Sequence, residues 1–156
     1  MKRLLLFLIT HASALIIGFA AGVFALPILI APPPPDTAVL MENAEARQYA
    51  AAFSRDRTDS DFLHWGEGEV SISSTAVTFM GELAPGPDYK LYFSPEFVET
   101  EADFNALKSQ MVQVGPVTTF TNFALAIPEG IDPNHYRAVI VWCETFGEFI
   151  TSATYQ

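Results

Sequence analysis

The run YRAVIVW at residues 136–142 decides the fold class of this chain. Valine, isoleucine, tyrosine and tryptophan are enriched in β-strands, and a short apolar run bounded by turn residues is typical of a buried strand. Similar runs lie at residues 69–80 (EVSISSTAVTFM), 89–94 (YKLYFS), 118–127 and 146–155. We therefore expect a mainly β domain.

Turn-forming residues separate these runs. Glycine permits unusual backbone angles and proline presets φ, so both favour turns. They occur at Gly81, Pro85–Pro87, Gly115–Pro116 and Pro128–Gly130. Short strands divided in this way predict a β-sandwich or small barrel over residues 61–156. Within it, residues 100–111 (TEADFNALKSQM) have a helical composition, with Thr100 as the N-cap.

Residues 32–60 are predicted to be a proline-rich linker followed by a helix. Pro32–Pro35 cannot continue a helix and favour polyproline II, which is a stiff spacer. Asp36 and Thr37 then supply a helix cap, and Ala38–Ser54 is rich in helix-forming residues. We expect this helix to be a stalk or a lid on the domain.

Residues 1–31 are predicted to be a transmembrane signal-anchor. Leu4–Ile30 contains no charged residue and is longer than the about 20 residues that a helix needs to cross a bilayer core. Signal-peptide cores are shorter, but the alanines of Ala20–Ala25 resemble a cleavage site, so cleavage stays open. Lys2 and Arg3 precede the run. This arrangement predicts a single-pass protein of the inner membrane, with a cytoplasmic N-terminus and a periplasmic domain.

The segment after the apolar run is strongly acidic. It carries six Lys and Arg against eighteen Asp and Glu, a formal net charge of −12. Such a surface repels nucleic acid and anionic lipid headgroups, so we expect no nucleic-acid partner. A basic protein or a cationic electron carrier would suit this field, unless the acidity serves solubility alone.

Two features of the apolar run concern partners. Ala14, Gly18 and Gly22 recur every four residues, and small residues at that spacing let another membrane helix approach closely. We therefore expect contacts with subunits of a membrane complex as well as with the lipid bilayer. His11 is an ionisable residue inside the run. It is a candidate axial ligand for haem or a chlorophyll-type pigment; alternatively, it is hydrogen-bonded to a neighbouring helix.

Cys143 is the only cysteine, so an intramolecular disulfide is impossible. Cys143 follows an apolar run and is a candidate for three roles: a small core residue, a redox thiol or a cofactor ligand. Its neighbour Glu144 would raise the pKa of the thiol if the two side chains were close. The chain contains no c-type haem attachment, phosphate-loop, nucleophile-elbow or zinc-protease motif. We therefore expect no catalytic constellation, no metal site and no enzyme activity.

Four segments occur in a recognisable order: His64–Gly68, Gly86–Ser94, Val114–Pro116 with Ile127–Pro128, and Val139–Gly147 with Ala153. Together they resemble the DM-thirteen family, which is often labelled an electron-transfer domain. The resemblance implies an extracytoplasmic β-sandwich. It also maps the family's cysteine, proposed to be a free thiol or to hold a prosthetic group such as haem, onto Cys143. Residues 118–123 (TTFTNF) depart from the glycine-containing turn of the family. The candidate pocket residues are His64, Trp65, Tyr89 and Trp142.

Three functions remain open at this point. The first is a non-catalytic accessory subunit whose helix docks in a membrane complex and whose β-domain covers the outer face. The family label would make that host a respiratory or photosynthetic electron-transfer assembly. The second is a redox or electron-transfer domain that uses Cys143 as a thiol or cofactor ligand. The third is a cell-surface binding module that uses the aromatic loops around Trp65, Tyr89 and Tyr92.

Overall fold

The computed structural model describes residues 2–156, and its first element is a long helix, α1 (Lys2–Ile30). At 1.5 Å per residue this helix extends about 43 Å. It is the one helix in the described chain that is long and apolar enough to cross a membrane, although a signal sequence at the N-terminus meets the same criteria. Pro27 lies inside the helix, and the proline run that begins at Pro32 follows its end.

One side of α1 faces the rest of the protein. Val23, Pro27 and, just past the helix, Ala31 are half-buried, whereas the described residues before Val23 are exposed. Positions four residues apart lie on the same side of a helix. The C-terminal part of α1 therefore packs against the β-domain, and its N-terminal part extends beyond the domain.

A short second helix, α2 (Thr37–Glu45), follows the prolines. Asp36 is its N-cap, as predicted, and its side chain accepts a hydrogen bond from the Ala38 amide at 3.2 Å. The expectation that the helix continues to Ser54 is wrong, because Tyr49–Phe53 forms strand β1. The alanines there are good helix formers, but pairing with the next strand and burial of Phe53 override that weak local preference.

Eight strands form two antiparallel sheets of four, which confirms the predicted mainly β sandwich. The sheet orders are β1-β2-β3-β6 and β5-β4-β7-β8. After β1 the strands are β2 (Gly66–Ile72), β3 (Ala76–Leu83), β4 (Tyr89–Ser94), β5 (Val112–Val117), β6 (Phe123–Ala126), β7 (Ala138–Cys143) and β8 (Glu148–Thr154). A third helix, α3 (Glu101–Leu107), is capped by Thr100, as predicted.

Two strand predictions require correction. The run at residues 69–80 is a hairpin of β2 and β3, because the Ser73 hydroxyl accepts hydrogen bonds from the Thr75 and Ala76 amides and closes a turn. Residues 115–116, predicted to be a turn, lie inside β5. Proline is tolerated there because β5 is an edge strand, where a missing N–H does not interrupt the sheet.

Strand β7, which contains most of the YRAVIVW run, is buried on both faces. Val139, Val141 and Cys143 belong to the main core between the sheets. Ile140 and Trp142 belong to a second cluster with Phe104 of α3. This explains why the run is continuously apolar rather than alternating, and it sets Cys143 at the inner face where β7 ends.

Candidate functional site

Cys143 lies at one end of the sandwich, where three strands meet. It is the last residue of β7, pairs with Tyr89 of β4 on one side and with Glu148 of β8 on the other, and is 2% exposed. The chain then turns sharply into β8. In that turn the Gly147 amide donates to the Cys143 carbonyl at 2.9 Å, and Gly147 has φ +72°, a conformation that favours glycine.

An apolar cavity of about 440 Å³, here called the Cys143 recess, lies between this end of the sandwich and α1. The helix contributes one wall and the strand ends and loops of the β-domain contribute the other. The helix residues are Phe19, Ala20, Val23 and Phe24. The domain residues are Leu63, His64, Pro85, Gly86, Pro87, Tyr89, Cys143, Phe146 and Glu148. The recess therefore exists only where the two parts of the chain meet.

The Cys143 thiol is held in its protonated form. Burial raises its pKa, and the carboxylates of Asp88 and Glu148 raise it further. The backbone amides of Thr145 and Phe146 act in the opposite direction but do not offset the burial. The thiolate is the form that acts as a nucleophile and binds metals, so the Cys143 sulfur has low reactivity at neutral pH.

The predicted influence of Glu144 on the thiol is not what the structure shows. Its carboxylate accepts a hydrogen bond from the Tyr92 hydroxyl and pairs with Lys108 Nζ at 2.7 Å. Burial opposes ionisation of Glu144, but these hydrogen bonds lower its pKa. The carboxylates that raise the Cys143 pKa belong instead to Asp88 and Glu148.

Tyr89 supplies a neutral phenol beside the thiol. Burial raises its pKa, with a further contribution from Cys143, so the hydroxyl keeps its proton. The ring packs closely on the preceding loop, since a Cβ added to Gly86 would overlap the Tyr89 hydroxyl. The loop at residues 85–87 and Tyr89 thus form a tightly packed part of the recess wall.

His64 reaches the recess from the loop before β2. Its Nδ1 lies 3.1 Å from Asp61 Oδ1, and the same carboxylate accepts hydrogen bonds from the Leu63 and His64 amides at 2.7 and 2.8 Å. Although burial acts against it, these contacts lower the pKa of Asp61. The Asp61 carboxylate therefore holds both the loop and the imidazole in place.

The two predicted tryptophans lie elsewhere. Trp65 is covered by the Arg55 guanidinium, 3.2 Å from the ring centroid. Trp142 points to the opposite face of β7 from Cys143 and stacks on Phe104 at 3.9 Å between ring centroids. The structure thus brings His64 and Tyr89 to Cys143 and places Trp65 and Trp142 outside the recess.

The predicted residues of α1 do not line the Cys143 recess. His11 Nδ1 lies 2.8 Å from the Phe7 carbonyl, so one ring nitrogen is satisfied within the helix. Apart from the adjacent residues and the backbone of α1 itself, no described atom would come within 4 Å of a Cβ added to Gly18 or Gly22. At 100° per residue, the face of Ala14, Gly18 and Gly22 points away from the side of α1 that contacts the β-domain.

Sequence reasoning missed a pair of carboxyl groups beside the recess. Glu101, at the start of α3, hydrogen-bonds Glu148 in the recess wall, and this bond is the main reason that the Glu101 pKa is raised, followed by burial. The two residues are distant in sequence and share no motif, so only the folding of α3 against β8 reveals the pair.

The side chains around Cys143 do not form a metal site with several protein ligands. Within residues 2–156, no group of three or more His, Cys, Asp and Glu side chains could hold a metal ion. A ligating sulfur is a thiolate, and burial together with the carboxylates of Asp88 and Glu148 makes loss of the Cys143 proton unfavourable. The recess is instead suited to an uncharged molecule held by apolar contact and a few hydrogen bonds.

A family model described as "Electron transfer DM13" matches residues 52–155, which include strands β2–β8 and the whole domain wall of the recess. No curated protein matches the chain, and no solved structure matches it.

Proposed function

The chain belongs to the DM13 family, described as electron transfer, and we propose that it is a single-pass membrane protein that serves electron transfer by binding rather than by catalysis. Its N-terminus lies in the cytoplasm and its sandwich on the periplasmic face of the inner membrane. Its ligand occupies the Cys143 recess. The observation that carries this proposal is the composition of the recess, since a membrane-type helix forms one wall and the family domain forms the other.

The chemistry of the recess indicates the class of ligand. Phe19, Val23 and Phe146 make it apolar, and its volume of about 440 Å³ lies within the range of about 300–1,000 Å³ typical of small-molecule sites. Three polar groups, the neutral Tyr89 phenol, the His64 ring and the Glu148 carboxylate, stand in the domain wall. A membrane-soluble quinone has the matching chemistry, because an apolar ring carries carbonyl oxygens that accept hydrogen bonds.

The proposed role is non-enzymatic, in keeping with the state of the thiol. Cys143 is buried and protonated, so it contributes shape and apolar surface to the recess. The ligand is held without a covalent bond to the protein and without metal coordination.

Quinone binding can be tested in nanodiscs that contain the full-length protein. Decyl-ubiquinone should quench the intrinsic tryptophan fluorescence in a saturable way. Ala20→Phe fills the recess from the helix side, whereas Ala21→Phe changes the neighbouring residue, which does not line it. We expect saturable quenching in the wild type and Ala21→Phe, and its loss in Ala20→Phe. Equal, non-saturating quenching in all three proteins would reject the proposal.

A second candidate function, the accessory subunit of a larger membrane complex, is favoured by a separate observation. Gly18 and Gly22 lie on a free face of α1 that points away from the β-domain. A partner helix could therefore pack closely there without meeting the sandwich. The acidic domain would then cover the outer face of the host complex.

Purification in mild detergent tests the subunit role. Gly18→Leu enlarges the small-residue face, and Ala12→Leu places the same side chain on the other side of α1. If the face binds a subunit, partners should co-purify with the wild type and Ala12→Leu but not with Gly18→Leu. A wild-type protein that purifies alone, or partners that remain bound to Gly18→Leu, would count against this role.

A further inference from the structure

The recess end of the sandwich carries three exposed apolar side chains. Phe62 is 85% exposed, Leu63 42% and Phe146 52%. Leu63 and Phe146 also line the Cys143 recess, so they lie beside α1, and Phe62 precedes Leu63 in the same loop. These three residues are called the apolar tip. Large apolar side chains grouped on a surface mark a site of contact with another apolar phase.

The length of α1 indicates which apolar phase the apolar tip contacts. A hydrocarbon core of about 30 Å requires about 20 helical residues, which, counted from Leu4, extend to Val23. The recess wall begins four residues earlier, at Phe19. If the sandwich stayed wholly outside the bilayer, the helix below it would extend only from Leu4 to Gly18, or about 22 Å, which is too short for the core.

We infer that the apolar tip dips into the outer surface of the bilayer, so that the sandwich is held by a second membrane contact besides α1. This inference rests on the proposed membrane span of α1. The overlap between Phe19 and Val23 corresponds to a depth of about 6 Å, which is within the about 5–10 Å that interfacial apolar groups reach. The mouth of the Cys143 recess then lies at the lipid boundary.

The charges near the tip define the kind of lipid surface. Asp61, Asp88 and Glu148 lie at the recess end, where Asp61 is paired with His64 and Asp88 with Lys90, whose Nζ is 2.7 Å away, so carboxylates outnumber the cationic groups. Anionic headgroups would be repelled by these carboxylates. The tip therefore suits a zwitterionic interface and is held by apolar burial rather than by attraction of charge.

The opposite end of the sandwich provides a matched control. Phe97 is also exposed, at 39%, but it lies beyond the end of β4, in a region that includes Arg137 and Gln156, far from α1 along the strands. Its phenylalanine side chain has the same size and chemistry as that of Phe62. The two positions lie at opposite ends of the domain, and Phe97 also has the Arg57 guanidinium 5.1 Å from its ring centroid.

Depth can be measured by spin-label accessibility in phosphatidylcholine vesicles. Single cysteines replace Phe62, Phe146 or Phe97 in a Cys143→Ala background, and Leu8→Cys reports the span itself. We expect labels at positions 62, 146 and 8 to collide more with oxygen than with a water-soluble nickel chelate, and the label at position 97 to show the reverse. Because Cys143 is buried, brief labelling in the native background repeats the comparison if Cys143→Ala fails to fold.

Two results would overturn the inference, and they are distinguishable. If position 8 reads as membrane-embedded but positions 62 and 146 behave like position 97, α1 spans the bilayer and the tip stays in water. If position 8 also reads as aqueous, the span fails and the inference fails with it.

Discussion

Cys143 in the folded protein should react with N-ethylmaleimide at least about 100-fold more slowly than in the unfolded chain. Two features of the structure produce this difference. The residue is 2% exposed, so the reagent reaches the sulfur only when the surrounding structure opens. Burial also raises the thiol pKa, and each unit of increase lowers the reactive thiolate fraction tenfold.

The assay follows adduct mass against time at pH 7.5, with the full-length protein in nanodiscs and in guanidinium chloride. A protein with Phe97→Cys and Cys143→Ala gives the rate of an exposed thiol on the same scaffold. If native Cys143 reacts within tenfold of the rate of the unfolded chain or of the Phe97→Cys protein, the prediction is wrong. Such a rate would show an accessible thiolate and favour a redox thiol over a structural one.

Three other perturbations test separate parts of the structure. Because the Cys143 pKa is raised in the folded state, stability should be lost as pH rises above about 8.5, the ordinary thiol value, and Cys143→Ala should weaken that loss in denaturant titrations across pH 7–10. Phe104→Ala, which removes a fully buried ring stacked on Trp142, should lower the free energy of unfolding by about 3–5 kcal/mol in a urea titration, and a loss below about 1 kcal/mol would contradict the packing. Gly86→Ala should destabilise the domain by about 1–3 kcal/mol because its Cβ overlaps the Tyr89 side chain, whereas Gly115→Ala, which meets only ordinary contacts, should be nearly neutral; equal melting temperatures would contradict this.

The proposed membrane placement and the proposed ligand binding depend on the same contact between α1 and the sandwich. The Cys143 recess is closed by α1, so its geometry depends on the helix remaining beside the sandwich. If the apolar tip enters the bilayer, an apolar ligand reaches the recess without crossing water. A free β-domain without α1 would lack one wall, and we expect it to bind the quinone weakly.

The sequence predicts a helix, a cap or a strand correctly where the residues of that element alone determine its structure. The uncharged run from Leu4 to Ile30 predicts the long helix, and the caps at Asp36 and Thr100 follow from side chains that satisfy free backbone amides. Strand β4 lies at residues 89–94, as its alternation of β-forming residues predicts. These features depend on short-range hydrogen bonding and hydropathy, which the residues themselves determine.

Tertiary contacts decided the features that local patterns misjudged. Tyr49–Phe53 has helix-forming alanines, yet it is a strand because β2 supplies backbone partners and the core accepts Phe53. Likewise, Gly115 and Pro116 have turn composition, yet the edge position of β5 lets them remain in a strand.

Composition and periodicity alone predict an apolar helix, an acidic β-domain and one cysteine in a buried strand, because they report what each segment must bury. That His64 and Tyr89 join Cys143 while Trp142 points away from it emerges only from the packing of distant segments. Successive residues of a strand face opposite sides, and which side is the site depends on what packs there. Side chains from distant segments meet at the recess through pairing and packing that no local pattern encodes.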